Sequence, residues 1–231
     1  MKFISIVQPH FIPWIGFFDL INKSDKFIFL DCVKFPHGKS FISRNNIINS
    51  HLNIEWISIP ITSKQKNLLI KDVKIDESFN KLKILNTFKK NFLNNKYFDE
   101  SYFLLEKILS NNFNFISDLN IYSTKLICNY LDIKTEFYLS SKMQFSDNKN
   151  KLLISIIKNF NEKLTYISGE GGKLYLDKKL FLESDYKIKF MDYNFKYNNV
   201  ILKNYQCSIL QLISIYGKKV KYMLNSKLVD F

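Results

Sequence analysis

Three stretches of the 231-residue sequence concentrate the side chains that can do chemistry. The first runs Gln8-Pro9-His10-Phe11-Ile12-Pro13-Trp14-Ile15-Gly16-Phe17. Its two prolines stiffen the backbone and suit a preorganised site. His10 offers an imidazole for proton transfer or ligand binding near neutral pH. Gln8 adds an amide, and Trp14 a core ring or a stacking wall. A solvated loop explains a lone histidine equally well. The second stretch, Asp31 to Asn45, carries Asp31, His37, Lys39, Arg44 and Asn45. A carboxylate near a histidine can act as a general base, and Lys39 with Arg44 can hold a phosphate or carboxylate. A polar loop with Asp31 capping a turn fits the same residues. The third, Ser168-Gly169-Glu170-Gly171-Gly172-Lys173-Leu174-Tyr175-Leu176-Asp177, is a glycine-rich turn whose N–H groups can approach a phosphate, or simply a tight turn.

Arg44 stands out by rarity. Of 34 basic residues it is the one arginine. Its planar fork binds two oxygens at once, which an ammonium cannot do. The rival reading is structural, with Arg44 pairing Asp31 or a buried carbonyl. The three histidines, His10, His37 and His51, have no metal-ligand spacing, and no metal or other cofactor is expected. No GxSxG elbow, HExxH or CxxC is present, and the glycine turn matches neither the P-loop nor GxGxxG.

The elements that must position these residues follow from periodicity. Phe3 to Val7 reads as a buried strand, Trp14 to Asn22 as a helix and Lys26 to Leu30 as a second strand. That opening βαβ unit favours a parallel sheet. It places Gln8, His10 and Asp31 at strand ends on one sheet edge, where open α/β sheets bind ligands, and Arg44 in the loop above. Gln8, Asp31 and Arg44 are therefore expected to line one pocket. Ile54 to Ile61 alternates as a strand. Ser78 to Asn94, Ser101 to Leu109 and Ser117 to Leu131 read as helices. Thr135 to Leu139 is a strand, Asp147 to Phe160 a helix, and Leu164 to Ile167 the strand that enters the glycine turn. Lys187 to Met191 reads as the last strand and Ser208 to Tyr216 as the last helix, stopped at Gly217. The expected fold is α/β, a mostly parallel sheet flanked by helices. It forms one domain over residues 1–231 with a helical insertion at roughly 78–131.

Composition narrows the class. Hydrophobic residues make up 46% and aromatics 16%, which excludes a disordered chain. No apolar run is long enough to span a membrane, and the N-terminus lacks a signal peptide's pattern. Three dispersed cysteines, Cys32, Cys128 and Cys207, argue against a disulfide framework and point to a reducing cytoplasm. The net charge of +13 suits an anionic partner: nucleic acid, nucleotide, acidic carrier protein or anionic lipid. Abundant Lys, Asn, Ile, Phe and Tyr also fit the drift of an AT-rich genome, which loads lysine onto a surface without purpose.

Taken together the motifs resemble the WbqC-like family. Gln8, Pro9, Phe11, Pro13, Trp14, Gly16 and Phe18 match its QPxYxPWxGxF opening. Asp31, Val33 and Phe35 follow as D-x-V-x-F, and Arg44, Asn45 and Ile47 as R-N-x-I. Tyr166, Ser168, Gly169, Gly171, Tyr175 and Leu176 match YxSGxGxxxYL. The chain departs near its end, where Tyr197-Asn198-Asn199 replaces a YPQ-like stretch and Gln211 stands where Asp is expected. The opening also looks like the H-x-G-H turn of nucleotidylyltransferases, but Trp14 and Phe17 replace both histidines, which disfavours that adenylylation chemistry.

The resemblance implies an enzyme of bacterial surface-glycan biosynthesis, of the O-antigen or capsule type. Its expected reaction is acyl or aminoacyl transfer, glycyl among them, to a nucleotide-linked amino sugar. The implied partners are a nucleotide sugar and an acidic acyl or aminoacyl carrier or charged tRNA as donor. His10, Asp31 and Arg44 are the expected catalytic residues. Gln8, Trp14, His37, Lys39, Asn45, Ser168, Gly169, Gly171 and Tyr175 are the expected substrate-binding ones. The rival class is a non-enzymatic basic protein binding RNA or an anionic membrane surface. A glycosyltransferase is disfavoured by the lack of a clear DxD motif.

Overall fold

A computed structural model describes residues 1–62, 67–145, 149–193, 195 and 207–230. A six-stranded sheet organises the chain. β1 (Lys2–Val7) lies at its centre, and the chain passes through α1 (Ile15–Lys23) into β2 (Lys26–Phe29), which pairs parallel to β1. A separate antiparallel hairpin follows, β3 (Arg44–Ile48) and β4 (Ile54–Ser58). Three helices come next: α2 (Lys81–Phe92), α3 (Phe98–Ser110) and α4 (Ile116–Tyr130). They form the helical insertion before β5 (Glu136–Leu139), which adds outside β2.

The chain then crosses to the other side. α5 (Lys149–Lys158) leads into β6 (Leu164–Ser168), which pairs parallel to β1 on its free edge. A 3-10 turn (Glu170–Leu174) and α6 (Lys178–Glu183) lead to β7 (Lys187–Asp192), parallel to β6. After α7 (Ile209–Tyr216) the chain returns as β8 (Lys227–Asp230), antiparallel to β7. The strand order is β5-β2-β1-β6-β7-β8. The last strand is thus β8, not the 187–191 segment. Its four residues, Lys-Leu-Val-Asp, are charged at both ends and sit on a sheet edge, too short for a periodic signal. β3 also escapes the pattern, because Arg-Asn-Asn supplies no alternation and asparagine is poor in strands.

Both sheet faces are covered. Phe27 and Phe29 pack with Phe17 and Phe18 of α1, in a cluster that reaches Phe88, Leu105 and Leu119 of the helical segment. Ile4, Ile6, Ile28 and Tyr166 face the other way, onto Leu152, Leu153, Ile156 and Phe181. Alternate residues of β2 serve opposite faces, as a strand's period of two requires. At the chain's last helix, Ser208 accepts from the Leu210 N–H as N-cap. Gly217 closes the helix at φ 56°, where an added Cβ would stand 2.8 Å from the Tyr97 ring.

Candidate functional site

The sheet reverses its winding at β1. From there the chain runs outward to β2 on one side, while β6 and β7 lie on the other. The two loops that leave the carboxyl ends of β1 and β6 face each other across this switch point, where such sheets form a crevice. A cavity of about 1220 Å³ occupies it.

The first wall is the loop after β1. Its backbone is pinned from distant parts of the chain. Asn120 Nδ2, on α4, donates to the Pro9 carbonyl at 3.0 Å and the Ile42 carbonyl at 2.8 Å. Asn45 Nδ2 donates to the Ile12 carbonyl at 2.5 Å, where Ile12 is held at φ 40°. The Ile209 N–H donates to the Pro13 carbonyl at 3.0 Å, and the Phe11 N–H to the Phe41 carbonyl at 2.9 Å. Both buried asparagines satisfy carbonyls that a proline-bearing loop cannot pair by itself. Trp14 then precedes α1 and folds back over its first turn. A Cβ on Gly16 would lie 2.3 Å from the indole, so this glycine makes room for the ring. Trp14 meets Tyr193 edge-on at 5.0 Å.

The second wall is the glycine turn after β6. The Gly172 N–H closes it on the Gly169 carbonyl at 2.9 Å. A Cβ at Gly172 would collide with Ser168 Oγ at 2.2 Å, whereas Gly171 has open space. Ser168 Oγ donates to the Gly169 carbonyl at 3.2 Å.

Gln8, His10, Trp14, Ser168, Gly169, Gly171 and Tyr175, all expected from sequence, line this cavity together. Lys34, Lys149 and Lys173 also line it, against one carboxylate, Glu170. None of the three lysines makes an ion pair among the described residues. The electrostatics therefore favour an anionic ligand. Sequence reasoning missed these lysines as a group because 34 basic residues hide three. It missed Asn120 because nothing near it in sequence marks its role. His10 lies between Phe17 at 5.4 Å and Phe41 at 6.0 Å. Burial among these rings pushes its imidazole down to about 4, so it is neutral at pH 7. Burial also raises the Tyr193 phenol, leaving that wall a neutral hydroxyl.

The other expected site residues lie elsewhere. Asp31 is buried outside the cavity. Its carboxylate accepts from the Ser140 hydroxyl and the Ser141 N–H, both at 2.8 Å, and from the Ser141 hydroxyl at 2.6 Å. It thereby ties the end of β2 to the turn after β5. Arg44 begins β3 and stacks on Trp56, 4.2 Å from guanidinium carbon to ring centroid. Asn45 is scaffolding under the first wall, as described. His37 and Lys39 sit in an exposed turn that does not line the cavity. Of the three residues expected to converge, Gln8 lines the cavity, and Asp31 and Arg44 stand outside it. Among the described residues no group of three His, Cys, Asp or Glu side chains could hold a metal ion.

The sequence profile of the WbqC-like protein family matches residues 8–221, from the first wall of the cavity to beyond α7. The chain belongs to that family. A Mycobacterium tuberculosis relative, the uncharacterized protein Rv1507c, is 29% identical over 196 residues, 84% of each chain. No solved structure matches. Among the described residues no helix is long and apolar enough to cross a membrane.

The departure of this WbqC-like chain at Gln211 has a local explanation. Gln211 Oε1 accepts from the Ile48 N–H at 2.9 Å, and its Nε2 donates to the Ile48 carbonyl at 3.1 Å. An ionised aspartate accepts but cannot donate, and it reaches one methylene less. In this chain the position closes the end of β3 onto α7, away from the cavity.

Proposed function

We propose that the protein is a cytoplasmic transferase of bacterial surface-glycan biosynthesis that moves an acyl or aminoacyl group onto a nucleotide-linked amino sugar. The observation that carries this reading is the cavity at the switch point, where a neutral imidazole shares one wall system with three lysines that form no ion pair among the described residues. A nucleotide sugar brings a diphosphate, and Lys34, Lys149 and Lys173 supply its counter-charge. The first N–H groups of the Gly169–Gly172 turn are offered to a phosphate or to the oxyanion of the addition step. The sugar amine attacks the donor carbonyl and a C–N bond forms. His10 takes the nitrogen's proton, the bond to the donor's sulfur or oxygen breaks with its electron pair, and the proton passes on to that atom. A bound diphosphate beside His10 raises the imidazole toward neutrality, where it is a better base. The donor is an acyl or aminoacyl carrier or a charged tRNA. Asp31, Asn45 and Asn120 serve as framework for these walls. One continuous core cluster joins α1, the hairpin, α2–α4 and α7, which supports reading the chain as one domain.

The test is calorimetric titration of the full chain with nucleoside-diphosphate amino sugars. Mass spectrometry of small molecules released on denaturation complements it. Binding that weakens in Lys173→Ala, together with amide formation that is lost in His10→Gln, supports the reading. Failure of every nucleotide sugar, with salt-steep binding to bulk RNA or anionic vesicles instead, overturns it in favour of a non-enzymatic basic binding protein.

A further inference from the structure

A second group of aromatic and charged side chains adjoins the cavity from outside. In the β3–β4 hairpin Arg44 pairs with Ser58 and Asn46 with Trp56. Strand alternation puts Arg44, Asn46, Trp56 and Ser58 on one face. There the Arg44 guanidinium covers the Trp56 ring. Phe41 stands 6.1 Å from Trp56, and His10 stands 6.0 Å from Phe41. The rings thus run from the cavity wall at His10 to the hairpin without a break. Trp56 is 45% exposed and Phe41 37%, although most phenylalanines of this chain are buried.

Two polar atoms beside this ledge lack partners among the described residues. Arg44 Nε is buried and makes no hydrogen bond among the described residues. No carboxylate lies within ion-pair distance of its guanidinium there either. Asn46 is 6% exposed, and its Oδ1 is buried without a donor among the described residues. Both atoms lie behind the rings, out of reach of solvent; what the ledge presents outward is the Trp56 and Phe41 rings and the half-buried Arg44 guanidinium. A partner here must supply an anion for the guanidinium and a flat face for the rings.

We propose that the Phe41–Trp56–Arg44 ledge is a nucleotide subsite: the base stacks on the exposed rings and Arg44 binds the phosphate. Stacking on aromatic and guanidinium planes is the usual way an unpaired base is held. A neutral sugar ring would stack but leave the guanidinium unpaired. Inorganic phosphate alone would leave the rings bare. Because the ledge joins the cavity at His10, a ligand anchored here by its base extends its far end toward the imidazole. The nucleotide is either a free one or the unpaired end of an RNA strand. This inference does not rest on the transfer reaction proposed above.

The experiment titrates the full chain with adenosine and uridine 5′-monophosphates, a single-stranded RNA hexamer, inorganic phosphate and a neutral trisaccharide. Nucleotide is expected to bind where phosphate and trisaccharide do not. Trp56→Ala and Arg44→Lys should each weaken it about tenfold. The Trp56→Ala melting temperature should stay within about 2 °C of the parent's, because the ring is exposed. An RNA hexamer that binds as the monophosphate does makes the source a free nucleotide. An RNA that binds much more tightly, and loses affinity in the same variants, makes it a strand end. Unchanged nucleotide affinity in Trp56→Ala, loss only in Lys173→Ala, or binding of the trisaccharide in place of nucleotide each overturns the subsite. Ledge binding without any amide transfer keeps the subsite and removes the reaction, while transfer indifferent to Trp56 does the reverse.

Discussion

His10 carries its chemistry in its surroundings. Two aromatic rings flank it, and its imidazole is pushed down to about 4 from an ordinary value near 6.5. In the unfolded chain the same group binds its proton near 6.5. Between those values the unfolded state holds more protons, so folding stability rises with pH across that window, is complete above it, and is lost as pH falls toward 4. Stability measured by urea unfolding from pH 4 to 7 should show this slope, and His10→Gln should flatten it. An equal slope in both proteins would mean that the imidazole is solvated in the native state. Gln8 and His10 were legible in the sequence because a strand followed by a proline loop marks a sheet's carboxyl edge. Asp31 lies at the same kind of position, yet its partners Ser140 and Ser141 are more than a hundred residues away. No spacing rule could have revealed that its carboxylate is already engaged. Gln211 is similar: its bond to Ile48 turns an apparent loss of a motif into a backbone clamp.

The elements that build the cavity were readable where a buried face imposed a period. β1, β2 and β6 are short, mostly apolar segments, and the three central helices show a clear stripe. β3 was not readable, because two of its five residues are buried asparagines: one clamps the site loop and the other faces the ledge. The elements also cooperate in a way no local pattern encodes. Helix α4 reads as part of an insertion, yet its fully buried Asn120 bridges the Pro9 and Ile42 carbonyls and so holds the first wall against the hairpin's approach segment. Asn120→Leu keeps the branched shape, with somewhat greater bulk, and removes both donors. Leaving two buried carbonyls unpaired should cost about 1–3 kcal/mol each. The loop should also loosen, so affinity for any ligand contacting His10 should fall beyond what the lost stability explains. Denaturation curves and titration of the same preparation measure the two effects. A variant that loses stability but keeps full affinity would show that prolines alone preorganise the loop.

Across the whole molecule, the site is assembled from parts of the chain that meet only after folding: residues 8–14, the hairpin near 44–57, Asn120, the turn after β6, and α7. The tail closes it. The Ile209 N–H pairs with the Pro13 carbonyl, the Ser208 N–H with the Asn46 carbonyl, and Gln211 with Ile48. Ile209, Leu210, Leu212 and Ile213 of α7 are all buried in the main core. At about 1.5–3 kcal/mol for each such side chain, the helix contributes an amount comparable to the entire stability of an ordinary domain, about 5–15 kcal/mol. β8 contributes less. It covers one edge of β7, and the Ser226 N–H before it pairs with the buried Asp19 carboxylate at 3.1 Å. Two truncations separate these roles. Removing residues 225–231 should lower the melting temperature while leaving a cooperative transition and ligand binding in place, because neither the cavity nor the ledge uses that strand. Removing residues 207–231 should abolish the cooperative transition and the near-ultraviolet signal of the packed aromatics. A chain ending before α7 that still melted sharply and bound ligand would refute the view that the tail locks the hairpin and the site loop together.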